Sequence, residues 1–531
     1  MDASGPEAHA AGTSRFNQLR LLKGHPPGHE VSFYARVHEV LQRSSDEGVS
    51  GNTTVLLMRE EAWFVDVEID AGKVSGSAWA TAETCTAESI LHVVGRVSEP
   101  APTLAKLRGL PGDKSLLPRV QASGIEMLAS AVDNLVTIPG HDVARWSQEQ
   151  GATTTTTATL TSFHSLSLHE RLNNRILDVR VAATGAIFKL FSGMLGLASQ
   201  HCLGRGMNWI QTPSLIGYKI PTDDDYFSVT YPGGMPCWLS QTVELHHEMA
   251  LSMDFQRVFE IKHMFRAEKD VSPRRLSEVG GRLPIIQFTG LEISMVYETD
   301  WHEAAHEGED MFIAVVRGLQ ASEKYSELIQ MAKKLYFSAG DFKLGLDERG
   351  RLPRVNFVEA KQLLREHEGM QTDEDGDLTH EEEAKLGALL RRGVPLPSGV
   401  RQAPLAPTDA FFITDYPQRL RPPQTVPNDR NGPARPATDT WDLVARGREV
   451  ASFLHFTGSA AALRAALRRD GGTGRDPDAA MWRPWLGAFE AGLLPHVNCA
   501  FGMNRVLQAF LGLGDVREAT LFPRDAGRLA P

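Results

Sequence analysis

Residues Val258 to Met295 read VFEIKHMFRAEKDVSPRRLSEVGGRLPIIQFTGLEISM. Two strand-like runs, VFEIKHMF and IIQFTGLEISM, enclose the core Phe265-Arg266-Ala267-Glu268 and a segment rich in Arg, Pro and Gly that reads as a loop. Near the C-terminus, His496 to Asp525 answers it with HVNCAFGMNRVLQAFLGLGDVREATLFPRD.

Length and composition bound what surrounds these stretches. The chain has 531 residues, 42% of them apolar, so it can bury a large core and is long enough for about two or three domains. No run approaches the roughly eighteen apolar residues of a membrane span. The start, MDASGPEAHAAG, lacks the charged-then-apolar build of a signal peptide, which makes the cytosol the expected compartment and a membrane partner unexpected. Cys85, Cys202, Cys237 and Cys499 form no CxxC pair and read as reduced structural thiols. A net charge of −11 argues against an overall nucleic-acid-binding surface, leaving room for a local basic patch.

A small-residue tail to about Pro27 precedes short alternating runs, VSFYARVHEV, TTVLLMRE, AWFVDVEI and SILHVVGRVSE, that read as a small β-barrel. The Thr153 to Thr157 run then reads as part of a linker. Beyond Arg171, Ile187, Leu190, Phe191 and Leu195 recur at helical spacing, and Met207 to Pro213 turns to strand.

Taken together, these stretches resemble the class II aminoacyl-tRNA synthetases: Val258–Met295 resembles motif 2, His496–Asp525 motif 3, and Pro213 stands as the motif 1 proline. Eukaryotic cytosolic aspartyl enzymes are most similar, asparaginyl enzymes next. The resemblance implies an α+β fold, an antiparallel sheet flanked by helices, with an N-terminal OB-fold. It also implies a division into a disordered tail over 1–27, an anticodon-binding-like OB-fold over 28–140, a linker over 141–170 and the catalytic domain over 171–531. Motif 1 implies a homodimer.

Two short patterns call for a different reading. His302-Glu303-Ala304-Ala305-His306 fits the HExxH zinc pattern, but it falls on the helix after motif 2, where the resemblance implies a solvent-facing run and no metal. DEDGDLTHEEE, Asp373 to Glu383, misses the acid spacing and Gly position of a calcium loop and reads as an acidic face before a helix.

Adenylate formation brings a carboxylate against the α-phosphate of ATP, so phosphate charge must be neutralised and the reactants held in line. By resemblance, Arg266 bridges the α-phosphate and the attacking acid, a task suited to a permanently charged planar fork. Glu268 follows on the same strand face and helps read adenine. Arg274 and Arg275 fall in the motif 2 loop, where Arg275 takes the place of a histidine that reaches the γ-phosphate. Phe288 is the adenine-stacking position, and Arg505 is the motif 3 arginine. Glu449 and Ser452 take the places of the Mg²⁺-binding pair. ATP and Mg²⁺ are thus the expected cofactors. The pattern also departs from the family: Asn498 to Asn504 loses three glycines and the glutamate before Arg505, and Val279 to Gln287 is inserted.

The acid half departs further. Pro221 stands at the amino-group glutamate, His247 at the side-chain lysine, and Phe456 at the arginine that clamps aspartate's carboxylate, beside His455. Gln241 is kept, Thr242-Val243-Glu244 replaces Ser-Pro-Gln, and Glu292 and Ser294 replace an Asp and a Glu. A phenylalanine cannot pair a carboxylate, and an unpaired buried charge costs several kcal/mol. The expected substrate is therefore a small carboxylic or amino acid other than aspartate, presenting a neutral or apolar group to Phe456 and His455. In the barrel, Val55 stands where a phenylalanine would stack on an anticodon base, whereas Glu88 matches an anticodon contact, so tRNA is the weaker candidate partner. Three readings compete: an adenylate-forming ligase for another acid, a divergent aspartate enzyme using His247, His455 and Arg448, and an inactive paralogue serving as regulator or scaffold.

Overall fold

The N-terminal alternating runs close on one another as a barrel. Its strands are β1 (Glu30–Gln42), β2 (Thr53–Glu60), β3 (Trp63–Asp70), β4 (Ile90–Ser98) and β5 (Arg119–Ala129), in the closed order β1-β2-β3-β5-β4. The structure is a computed structural model that describes residues 19–42, 52–61, 63–98, 119–131, 167–219, 226–267, 285–374, 376–393, 407–432, 435–469, 478–479 and 482–530. It forms two compact units, Met1–Gly185 and Ala186–Pro531.

Period-two alternation puts Leu56 and Met58 inside the barrel with Phe33, Val67, Ile69, Leu91 and Val93. Part of the expected tail to residue 27 is ordered. Leu19–Gly24 forms a 3₁₀ turn because Leu19 and Leu22 can bury themselves against the barrel core. Glu88 also departs from expectation. Its backbone is left-handed (φ 70°), and its carboxylate accepts from Arg59 Nη2 and Arg180 Nη1, each at 2.9 Å, while Arg36 donates to its carbonyl at 3.0 Å. That carboxylate is engaged by arginines inside the unit.

The second unit is built on an eight-stranded sheet. Its strands are β6 (Asn208–Trp209), β9 (Arg257–Phe265), β10 (Gln287–Val296), β11 (Arg354–Asn356), β12 (Ala410–Thr414), β15 (Thr440–Ala445), β16 (Glu449–Phe456) and β17 (His496–Gly502). The order is β11-β12-β15-β16-β17-β10-β9-β6, antiparallel except for the two edge pairings. Two small ladders lie outside it: β7 (Leu215–Ile216) with β8 (Trp238–Leu239), and β13 (Pro427–Asn428) with β14 (Ala437–Thr438).

The two faces of the sheet divide the labour. Phe259, Leu291, Ile293, Met295, Val497, Cys499, Phe501 and Phe453 point to one side, where the helices Ala182–Gly204, Trp301–Ala321 and Met503–Leu511 cover them. The first of these helices is long and apolar enough to cross a membrane, yet Ile187, Leu190, Met194 and Ala198 are buried in the sheet's core. The alternating residues face the other side, and the candidate site lies there.

The HExxH residues sit on the helix-covered side. Trp301 is buried, and His302 packs between it and Trp441 at 4.3 and 5.3 Å, so the run is not solvent-facing throughout as expected. Glu303 is spent on the local turn, accepting from Thr299. Among the described residues no three His, Cys, Asp or Glu side chains gather as a metal group. The acidic run ends in a capping box: Thr379 and Glu382 start the helix His380–Arg392, and Glu382 pairs with buried Lys361 at 3.1 Å.

Candidate active site

The strand register sets out the floor of the site as rows of side chains. One row crosses five strands as Glu260, Glu292, Ala500, Ser452 and Asp442. The next runs Val258, Ser294, Asn498, Leu454 and Thr440, and a third pairs Val296, His496 and Phe456. On the other flank of the first row lie Lys262, Gly290 and Gly502. Strand alternation turns all of these to one face.

At one end of the floor the charged residues converge on Glu449. Ser452 Oγ donates to its Oε1 at 2.9 Å, and Arg505 Nη1 donates to its backbone carbonyl at 3.3 Å. Burial opposes its ionisation, but Arg505, Arg421, the Ser452 hydroxyl and Arg266 outweigh that and hold its pKa below the ordinary value. Arginines from three distant segments and a serine of the same strand thus act on one carboxylate. Asp442, in the row beside Ser452, pairs with Arg421, whose guanidinium lies 3.6 Å from the ring centroid of Tyr416. Burial pushes the Asp442 carboxyl up to about 6 in spite of Arg421. Among the described residues its Oδ1 finds no hydrogen-bond partner. An ionisable carboxylate oxygen left open beside Glu449 and a serine hydroxyl is a hard-oxygen donor set that fits Mg²⁺, which binds through one or two carboxylates plus substrate phosphates.

Phe288 lies on the same face, opposite Met264. Glu268, Arg274, Arg275 and Pro221, and most of the insertion, lie outside the described residues. Gln241 is buried at the start of the acid pocket.

The acid end is more acidic than the sequence suggested. Glu292 accepts from Thr242 Oγ1 at 2.6 Å, Asn498 Nδ2 at 3.1 Å and the Val243 amide at 3.3 Å. Glu244 accepts from Gln424 Nε2, and Glu248 accepts from Trp485 Nε1 and His496 Nε2. Burial raises the pKa of Glu292; burial, then Glu248 and Glu292, raise that of Glu244 well above the ordinary range. Phe456 is fully buried edge-on to His496, which in turn meets the buried carboxyl of Glu248, so this end carries carboxyls as well as the apolar ring the sequence led one to expect.

The two histidines expected to stand in for the lost cations do not do so. His247 bonds Ser294 Oγ at 2.9 Å, and burial pushes its pKa down to about 3, so it is neutral. His455 belongs to the opposite face, since it neighbours Phe456 on a strand. Its Nδ1 meets Asp439 at 3.0 Å, its Nε2 meets Tyr297 at 2.9 Å, and its ring lies parallel to Trp301. Lys262, not singled out in the sequence, is on the site face. Its Nζ donates to the carbonyls of Thr212 and Pro213 at 3.0 and 3.1 Å, which ties β9 to the motif 1 proline.

Comparison with known proteins agrees with this geometry. The family described as tRNA synthetases class II (D, K and N) matches residues 167–526. The chain belongs to that family. Mouse cytoplasmic aspartate–tRNA ligase is 31% identical over 361 residues, 68% of this chain and 64% of the mouse protein, so the match spans under two thirds of that relative. Arabidopsis thaliana cytoplasmic aspartate–tRNA ligase 1 is 26% identical over 95% of this chain and 84% of its own length. Among solved structures, the Entamoeba histolytica aspartyl-tRNA synthetase superposes with a TM-score of 0.73 at 23% identity, covering 97% of this chain and 92% of the other. The Pyrococcus horikoshii asparaginyl-tRNA synthetase complexed with asparaginyl-adenylate gives 0.71 at 20%, covering 97% and 99%. These two likenesses establish the fold: the antiparallel sheet with helices and the N-terminal barrel.

Proposed function

We propose that this class II synthetase is an ATP- and Mg²⁺-dependent ligase that activates an acid other than aspartate as an acyl-adenylate and passes it to an acceptor. The observation that carries the reading is Glu449, which lies within the fields of Arg266, Arg421 and Arg505 and beside Ser452 and Asp442. Three arginines can neutralise a triphosphate, and the two carboxylates would hold Mg²⁺, which would supply further neutralisation of phosphate charge. Arg266 would hold the α-phosphate and the attacking carboxylate together. Arg505, Phe288 and the motif 2 residues Glu268 and Arg275 would seat the rest of ATP. The relatives' names speak for a tRNA acceptor and a cytoplasmic location; Glu88, already bound by arginines, speaks against aspartate-tRNA reading. ATP–pyrophosphate exchange across a panel of acids, with and without tRNA, tests the reading: exchange with no acid would overturn it in favour of the inactive paralogue.

The exchange rate should depend on Asp442. A carboxyl with its pKa raised to about 6 is fully charged only above that value, so the rate should fall as pH drops through about 6. Asp442→Asn should lower the rate and remove this acid limb, read from the two pH–rate profiles.

A homodimer is also expected. The helix Ala182–Gly204 leaves Phe188, Phe191 and Leu195 only partly covered, and Leu203, Trp209 and Leu215 near its end are 47–52% exposed. Such an apolar surface in a motif 1 setting suits an isologous interface about a twofold axis. Light scattering should give twice the chain mass at micromolar concentration; a monomer mass would refute it.

A further inference from the structure

Asn498 stands where the family's sequence pattern carries a glycine, and its side chain rises from the sheet floor in the row after Ala500. Access from solvent ends at that step. In the first row the open positions are Ala500 and Ser452, both half-buried, and Arg266 and Arg505 nearby are exposed. In the second row Ser294 and Asn498 are only 1 and 2% exposed, and in the third Phe456 and His496 are 0% exposed. A side chain that borders room for a ligand is at least partly open to water. Over these four residues no such room remains.

The polar side chains of the closed rows are bonded within the protein. Asn498 Nδ2 donates to Glu292 at 3.1 Å, Ser294 Oγ meets His247 Nδ1 at 2.9 Å, and His496 lies between Glu248 at 3.2 Å and the Leu494 carbonyl at 3.0 Å. Leu454 and Phe456 stand among them. The polar end of a substrate would have to break one of these bonds to gain a partner, and a buried polar group left without one is costly. From the first row to Asn498 is two residues along the strand, roughly 7 Å, or the length of a chain of about four carbons.

We propose, resting on the ligase reading above, that the acid this protein activates is short, of at most about four carbons with an apolar end, and that Asn498 sets the limit. Its side chain is a stop, filling the floor where a glycine would leave only backbone. A longer acid has to displace Asn498 or Phe456, and close-packed interiors resist such displacement. Aspartate reaches the stop with a charge and asparagine with an amide, where Asn498, Ser294 and His496 are already bonded. An acid ending in a methyl group needs no partner there.

Calorimetry on the full-length protein with acyl sulfamates of adenosine, unreactive compounds that keep the shape of an acyl-adenylate, tests it. The acyl chains run from about two to about eight carbons in even steps, each with and without an α-amino group, beside aspartyl and asparaginyl. The tightest binder should have about four carbons or fewer and an apolar end, and affinity should fall by about 10–10²-fold on adding two more, the scale of forcing extra methylenes into a packed interior. Asn498→Gly should recover at least about tenfold of that fall, and Asn498→Ala part of it, with thermal midpoints confirming that both variants are folded. Long chains bound as tightly as short ones, tightest binding by the aspartyl or asparaginyl compound, no acyl sulfamate bound more tightly than adenosine sulfamate itself, or an unmoved fall in the folded variants would each overturn the proposal. Pyrophosphate exchange with the free acids reports separately on the ligase reading. Selective binding of short chains without exchange would remove the activation step and keep the limit; exchange driven best by a long acid would do the reverse.

Discussion

Arg266→Ala should slow ATP–pyrophosphate exchange by about 10²–10³-fold with the best acid, the usual loss when one fixed electrostatic stabiliser of a transition state is removed. The α-phosphate and the attacking carboxylate are both anionic, and their approach is opposed until a cation spans them. Arg266 follows the end of β9, with its amide bonded to the Ile286 carbonyl at 3.0 Å, so its backbone is fixed by the sheet. Its field reaches Glu449 alongside those of Arg505 and Arg421. Arg266→Lys should recover only part of the rate, because an ammonium keeps the charge but not the planar fork. The ATP dissociation constant should change less than the exchange rate, since Arg505 and Arg421 remain to hold the triphosphate. An unchanged thermal midpoint would show that the fold is intact. Wild-type exchange by Arg266→Ala would remove Arg266 from the chemistry.

The proposed ATP end was assigned from the resemblance, residue by residue: Arg266 in motif 2, Arg505 in motif 3, Glu449 and Ser452 between. The structure sets the latter three together and brings Arg266 within reach of Glu449. Asp442 went unnoticed, although a charged residue inside the apolar run TWDLVA is itself a signal, since an acid in a buried strand needs a partner or a task. His455 was misplaced for a reason the sequence also held. Neighbours on a strand point to opposite faces, so His455 and Phe456 could not both line one pocket. The carboxylate cluster was beyond a one-dimensional reading. Glu244, Glu292, Asn498 and Gln424 come from separate elements, and only the register and the packing of the Glu244–Leu251 helix onto the sheet bring them together.

Aspartate should be discriminated against by the wild-type protein by about 10²-fold or more in exchange relative to the true substrate, the least expected when a substrate brings a polar group to a site that offers it no partner. Its side-chain carboxylate would enter beside Phe456, among Glu244, Glu248 and Glu292. His247 is neutral with its pKa near 3, His496 is taken up by Glu248 and the Leu494 carbonyl, and His455 lies on the other face of the sheet. Lys262 is already committed to the carbonyls of Thr212 and Pro213. The simple repair, His247→Lys with Phe456→Arg, should therefore fail on its own: the new cations would pair with Glu244 and Glu248 rather than with substrate, because buried opposite charges neutralise each other first. Adding Glu244→Gln and Glu248→Gln to those two changes removes the competing anions, and this fourfold variant should gain measurable aspartate-dependent exchange. Robust aspartate-dependent exchange by the wild-type protein, or efficient charging of an aspartate tRNA, would instead establish a divergent aspartate enzyme. Gain of aspartate activity in the double variant alone would show that the carboxylates do not govern the pocket.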